Sequence, residues 1–165
     1  MKLNKSEIRL RKASIRDISL LIEYRIIFLT ETYGPRSPEK ITLLQKSLTD
    51  YFSRAFENKT FIAWIAEYDE KPVGFSGLVI REQPGNFETI SGRTGYILNM
   101  FTLKEFRNNG ICKMLFQKLL DEANILGLDK VELHATNDGE SVYRQFGFTE
   151  PHDKALEKNI STEIL

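Results

Sequence analysis

Cysteine is almost missing from this 165-residue sequence: Cys112 stands alone, and only two histidines, His134 and His152, accompany it. One thiol cannot build an intrachain disulfide framework, and so few Cys and His leave no zinc-type cluster, so no structural metal is expected. An excess of charge is missing too, since Lys plus Arg and Asp plus Glu both number 23. Balanced charge offers no long-range attraction to nucleic acid or to an anionic membrane, so any phosphate binding must be local. No stretch approaches the ~20 apolar residues that span a bilayer, and the opening MKLNKSEIRLRK has no apolar core of a signal peptide. The expectation is a cytoplasmic protein with neither a nucleic-acid nor a membrane partner. What is present is ordinary for a folded chain, with 41% apolar and 28% charged residues. The length suits a single domain over residues 1–165, able to bury roughly two-thirds of its unfolded surface.

Ile8 and Leu10 alternate with polar neighbours as a short strand, and Ser14 stands three residues before Asp17 in a capping arrangement for a helix from about Ile15 to Thr32. The breaker-rich Tyr33 to Pro38 follows, then a second helical pattern from about Pro38 to Glu57 with Leu43, Leu44, Leu48, Tyr51 and Phe52 inward. Phe61 to Glu67 and Val73 to Arg81 read as antiparallel strands joined by a turn at Tyr68 to Pro72. Tyr96 to Leu103 is an almost wholly apolar run, as expected of a strand buried on both faces. Its one strongly polar residue, Asn99, marks either a bulge or a hydrogen-bonded core side chain. From Asn109 to Leu126, Ile111, Leu115, Leu119 and Ala123 recur every fourth position as one helix face, with Gly127 suited to the residue past its end. Lys130 to Thr136 alternates as a further strand, and strand, helix, strand in this spacing implies a parallel crossover. Asn137 to Phe146 reads as a short helix stopped by Gly147, with strands around Phe148 and between Ala155 and Thr162.

The chemistry gathers at the turn Arg107-Asn108-Asn109-Gly110-Ile111. A helix starting there leaves its first N–H groups without intrahelical acceptors, and the helix dipole adds partial positive charge. Gly110 lets backbone approach a bulky anion closely, and Arg107 adds a permanent cation, a combination suited to a diphosphate. No Gly-Lys-Ser/Thr follows, and the three-glycine dinucleotide spacing is missing, so neither usual nucleotide fingerprint applies. On local grounds alone a plain strand-to-helix turn is the better reading of the segment.

The motif Arg/Gln-x-x-Gly-x-Gly/Ala, matched by Arg107 through Ile111 and then Cys112, resembles that of the GCN5-related N-acetyltransferases. Asn99 to Arg107 is similar to the family's splayed central strand, Ile8 to Asp17 to its opening, and Ser141-Val142-Tyr143-Arg144-Gln145-Phe146-Gly147-Phe148 to its late segment. The likeness spans nearly the whole chain. It implies an α/β (α+β) fold: a mixed, mostly antiparallel twisted sheet of about six to seven strands with a parallel splayed central pair, flanked by about four helices. It also implies acetyl-CoA as co-substrate. The diphosphate would lie on Arg107, Asn108, Asn109, Gly110, Ile111, Cys112 and Lys113, the thioester carbonyl near the backbone of Met100, Phe101 and Thr102, and the pantetheine arm near Thr136 and Asn137. Tyr143 would serve as general acid on the departing thiolate, because phenols ionise near pH ~10 and stay protonated at neutrality. The other reading of Tyr143 is an aromatic packed on cofactor or core. Cys112 departs from the small residue of the family motif, and either displaces the cofactor slightly or serves as a small buried side chain.

The implied activity is transfer of an acetyl group to a primary amine of a small molecule or peptide by direct attack. The rival is a non-catalytic acyl-CoA-binding or sensor domain, suggested by Cys112 and by the lack of a carboxylate on the central strand. For the general base, Glu31, Glu82, Glu88 and ordered water stay open, while His134 reads as a structural histidine and His152 as a loop residue. The acceptor wall is expected from the helix pair with its Tyr33 to Pro38 loop and from the Gln83 to Arg93 loop. The late strands and Phe-rich surface would permit a homodimer.

Overall fold

The computed structural model describes residues 3–160. The chain divides into two compact units, Met1–His134 and Ala135–Leu165. In the first, the elements are β1 (Ile8–Lys12), α1 (Ile18–Tyr33), α2 (Pro38–Glu57), β2 (Phe61–Tyr68), β3 (Lys71–Glu82), β4 (Arg93–Thr102), α3 (Ile111–Ile125) and β5 (Lys130–Leu133). The second unit holds α4 (Asn137–Gln145).

The sheet order is β1-β2-β3-β4-β5, antiparallel except for the parallel β4–β5 pair. Among the described residues five strands form, not about six to seven. Residues 149–160 are exposed and enter no ladder. Pro151 has no N–H to donate, and Asp153, Lys154, Glu157 and Lys158 leave Ala155, Leu156 and Ile160 without a face to bury. The last two residues of the expected Ala155 to Thr162 strand lie outside the described residues. β5 also ends three residues early, at Leu133, and the late-strand argument for a homodimer falls away with these strands.

Local chemistry accounts for the element ends. Ser14 and Asp17 form the expected capping box, although it opens a single 3-10 turn over Ile15–Asp17 that then runs into α1. Ser37 caps α2 by accepting from Lys40 N–H at 3.3 Å, with Pro38 at the first helical position. The β2–β3 hairpin turns through Asp69 and Glu70, both at positive φ (49° and 59°), which matches a tight two-residue connection. Gln83–Gly92 is also ordered by its own bonds. Asn86 Oδ1 accepts from the N–H groups of Glu88 and Thr89, and Ser91 is tied to Asp129 Oδ2 through its N–H at 2.8 Å and its hydroxyl at 2.7 Å.

Alternation along the strands sorts the core onto two faces. Leu21, Tyr24 and Phe52 of the helix pair pack with Phe61, Ile65, Phe75 and Phe101 on one. Ile111 and Leu115 of α3 pack with Ile8, Ala66 and Val73 on the other. β4 is thereby covered on both faces, as its apolar run implies.

Candidate active site

The pairing of β4 with β5 stops at Ile97 and Leu133, yet β4 runs on to Thr102. Just past that point the ladder with β3 shifts: Phe75 faces Phe101 and Gly77 faces Leu98, so Ser76 alone opposes both Asn99 and Met100. Asn99 accommodates the extra residue at a φ of 57°. Its side chain is also hydrogen-bonded, since Arg25 Nη1 donates to Asn99 Oδ1. Both sequence alternatives for Asn99 therefore hold together: it is the bulge and a partnered buried amide.

The bulge sets which peptide groups face the open side of β4. Leu103 N–H donates to Val73 O on the β3 side at 2.9 Å. Peptide groups alternate sides along a strand, so Phe101 also faces β3, whereas those of Met100 and Thr102 face away from it. Thr102 O accordingly accepts from Arg107 Nε at 2.9 Å. The ring of Phe101 lies in the aromatic cluster with Tyr24, Phe28 and Phe75. Around this bulge, Arg25 Nε, Ser76 Oγ, Asn99 Nδ2 and Thr102 Oγ1 are buried without a hydrogen-bond partner among the described residues. Folded chains rarely tolerate such orphans, and their concentration here marks the segment as more than framework.

Beyond β4 the chain makes one 3-10 turn, Lys104–Phe106, and then swings into α3 through Asn108 at φ 63° and Gly110 at φ 81°. The left-handed Gly110 is the N-cap residue, and no side chain caps this helix end. Asn109 is buried and braces the turn: its Oδ1 accepts from Leu3 N–H at 2.9 Å, and its Nδ2 donates to the carbonyls of Phe106 and Arg107, both at 3.1 Å. Ile111 is buried in the α3 core, so only its backbone is left for binding, while Lys113 is exposed on the first turn. A side-chain β-carbon at Gly110 would lie 3.6 Å from Lys5 Cε and 3.7 Å from Lys5 Nζ. A lysine from the N-terminal segment thus stands over the turn, and no spacing in the sequence pointed to it.

Arg107 is tethered beside the same turn. Its Nη2 pairs with Glu31 Oε2 at 2.5 Å, and its guanidinium carbon sits 5.5 Å from the Phe101 ring centre. One candidate base and the candidate phosphate cation therefore engage each other. Both side chains are 42% exposed, so the pair contributes no more than about 1 kcal/mol and yields easily to a phosphate. Arg107→Ala is expected to weaken acetyl-CoA binding about tenfold while lowering the melting temperature only by what the lost Thr102 bond is worth, about 1 kcal/mol, whereas Glu31→Gln, by freeing Arg107, should tighten binding about two- to fivefold. Calorimetric titration of both variants checks this; unchanged affinity in Arg107→Ala would mean that the backbone donors hold the phosphates alone.

Burial pushes the Cys112 thiol above its usual range, with Lys113 only partly opposing, so the thiolate is scarce at neutral pH. The residue behaves as a small packing group. Cys112→Ala should keep acetyl transfer within about twofold of wild type in a thiol-release assay, and a loss of a hundredfold would restore a chemical role.

The other base candidates lie elsewhere. Glu82 ends β3 opposite Arg93, and Glu88 is exposed in the Gln83–Gly92 loop. His134, just beyond β5, is exposed and shares a hydrogen bond with the Tyr96 hydroxyl, and the Arg81 guanidinium stacks 3.9 Å from the centre of the Tyr96 ring. The helix pair leaves a cleft of about 280 Å³ bordered by Ile26, Leu29, Tyr33, Arg36, Lys40 and Leu44, on the wall expected to receive the acceptor.

In the second unit, α4 begins after Thr136, whose carbonyl accepts from Gly139 and Glu140 N–H, both at 3.0 Å. Thr136 and Asn137 are exposed. Tyr143 is 9% exposed and folds back over the first turn: a β-carbon at Gly139 would lie 3.0 Å from Tyr143 Cε2, 3.3 Å from its hydroxyl and 3.3 Å from Thr136 Oγ1. Gly147, at φ 86°, turns the chain so that Phe148 N–H donates to Tyr143 O at 3.2 Å and the two rings stand 6.5 Å apart. Arg144 points outward to Glu140 and Glu150. Among the described residues no group of three or more His, Cys, Asp or Glu could hold a metal, and no helix is long and apolar enough to cross a membrane.

Residues 23–148 match the family model described as Acetyltransferase (GNAT) family. A predicted acetyltransferase from Clostridium acetobutylicum, crystallised with acetyl-CoA, is 32% identical and superposes with a TM-score of 0.84 over 93% of this chain and 96% of its own. A GCN5-related N-acetyltransferase from Ralstonia eutropha JMP134 is 22% identical, with a TM-score of 0.80 over 92% of this chain and 98% of its own. The fold recurs in glucosamine-6-phosphate N-acetyltransferase from Arabidopsis thaliana at 16% identity, TM-score 0.67, covering 93% of this chain and 99% of that one. No curated protein matches the sequence. A helix start opened by a left-handed glycine, a central strand bulged where its parallel partner ends, and a family match across most of the chain agree: the protein belongs to the GNAT family of acetyltransferases.

Proposed function

We propose that this chain, acting as one acetyltransferase domain, transfers the acetyl group of acetyl-CoA to a primary amine of a small molecule or peptide by direct attack. The observation that carries the reading is the stretch of β4 from Leu98 to Thr102, which outruns its parallel partner, bulges at Asn99 and leads within a few residues to the Gly110 helix start. The diphosphate would rest on Arg107 to Lys113, with Lys5 as a further cation, and the dipole of α3 favours negative charge there. The N–H groups of Met100 and Thr102 are the donors suited to the thioester carbonyl, and donors fixed by the fold polarise it at no reorganisation cost. The amine lone pair then forms a C–N bond at that carbonyl carbon while the C–S bond breaks. The departing thiolate takes the phenolic proton of Tyr143, and the amine sheds its own to Glu31, Glu82, Glu88 or water. Thr136 and Asn137 would line the pantetheine arm. No covalent enzyme intermediate is needed, because holding both reactants together removes much of the barrier.

The test is thiol release from acetyl-CoA across a panel of primary amines and peptides with free termini, with mass detection of the acetylated product. An acetylated amine above the blank supports transfer. Tight acetyl-CoA binding with no product from any amine in the panel would favour the sensor reading.

A further inference from the structure

Arg25 lies in a mostly apolar stretch of α1, residues 18–29, whose other polar residues are Ser19 and the exposed Glu23, and its side chain reaches the bulge of β4. Its charge is not answered there. Arg25 forms no ion pair with a described carboxylate, and the ionisable groups that act on it are the phenols of Tyr51, Tyr33 and Tyr96. Partial burial pushes the guanidinium below its usual range, because its charge is partly desolvated. Among the described residues its only hydrogen bond goes to Asn99 Oδ1, which leaves Arg25 Nε and Asn99 Nδ2 buried without acceptors there. A second cation faces the same neighbourhood, since Tyr51 feels the positive charge of both Arg25 and Arg81. Elsewhere in this unit Arg11 is matched by Asp17 and Glu67, Lys12 by Glu122 and Arg107 by Glu31, while Arg93 donates to the Leu126 carbonyl.

An unanswered guanidinium costs stability, and a fold that needed only a brace for Asn99 could have used a neutral side chain. We infer that the acceptor amine carries an anionic group, a carboxylate or a phosphate, which Arg25 and Asn99 bind beside the β4 bulge with Arg81 adding long-range attraction. Such a group supplies the lone pairs that Nε and Nδ2 lack, and arginine suits both anions through its planar fork. Anchoring it next to Met100 would fix the amine near the acetyl carbonyl. The inference rests on the acetyl-transfer reading for the identity of the ligand as acceptor, but the anion site itself can be tested by binding alone.

The experiment titrates the full chain, saturated with CoA, with matched amines: L-phenylalanine against L-phenylalaninamide and phenethylamine, and O-phosphoethanolamine against ethanolamine. Parallel reactions with acetyl-CoA are followed by thiol release. At least one anionic member should bind about tenfold or more tighter than its neutral partners, and Arg25→Gln should bring that ratio to within about twofold of one, with Arg25→Lys retaining part of it. A carboxylate preference and a phosphate preference each support the inference and identify the anion. Equal binding of acid and amide, or no binding by any anionic amine, overturns it, whether or not neutral amines are acetylated. Anion-dependent binding with no acetylated product would uphold the anion site and sink the transfer reading instead. The wild-type comparison needs no variant, so it stands even if Arg25→Gln fails to fold.

Discussion

Replacing Tyr143 by phenylalanine is expected to lower acetyl transfer about a hundredfold or more while leaving acetyl-CoA affinity within about twofold of wild type. A positioned proton donor contributes ~10²- to 10⁴-fold, because the thiolate otherwise leaves without neutralisation. The substitution removes only the hydroxyl. The ring keeps its place beside Gly139, where the lack of a β-carbon leaves it room, and the Phe148 contact persists. Folding should therefore be almost unchanged, and a thermal melt is the control. Single-turnover measurement separates chemistry from product release: the loss should appear in the chemical step. Wild-type turnover in Tyr143→Phe would remove the acid role and return Tyr143 to packing.

Much of this arrangement was legible because it depends on local rules. The fourfold repeat of Ile111, Leu115, Leu119 and Ala123 fixes one helix face against the sheet, and the structure buries those four residues. Ser14 with Asp17 announces a helix entrance, and Gly110 announces a backbone turn that side chains resist. The expected strand overruns Leu133, where β5 stops, because alternation records only what could be half-buried, and Ala135, the next position on the apolar face, is exposed. What no local rule could deliver are the long-range partners. Lys5 over Gly110, Glu31 on Arg107 and Arg25 on Asn99 join residues far apart in sequence, and only the topology decides who meets. Arg25 did leave a trace, as one cation among apolar neighbours of α1, but a solvated charge at a helix edge gives the same string. Asn99 shows the limit from the other side. Its polarity in an apolar strand was visible, and its two roles were each foreseen, yet their coexistence follows from the partner that α1 supplies.

That coexistence makes Asn99 the second position where a large effect is expected, and two substitutions separate its roles. Asn99→Val puts a β-branched residue at a φ of 57°, which costs about 1–2 kcal/mol for the left-handed conformation. It also strips Arg25 of its one acceptor among the described residues and leaves a half-buried guanidinium bare, costing a further ~1–3 kcal/mol. The chain can escape the strain by erasing the bulge. Doing so slips β4 by one residue against β3 and turns the Met100 and Thr102 peptide groups toward β3. Losing donors aimed at a developing oxyanion costs ~10²- to 10³-fold, so Asn99→Val should lose transfer by about a hundredfold as well as melting earlier. Asn99→Gly adopts the same φ without strain and keeps the bulge, but it too leaves Arg25 without its acceptor. It should melt early yet retain transfer within about tenfold of wild type on an acceptor without an anionic group. Equal loss of transfer in both variants would assign the effect to the Arg25 contact, and full activity in Asn99→Val would show that the bulge does not aim the donors.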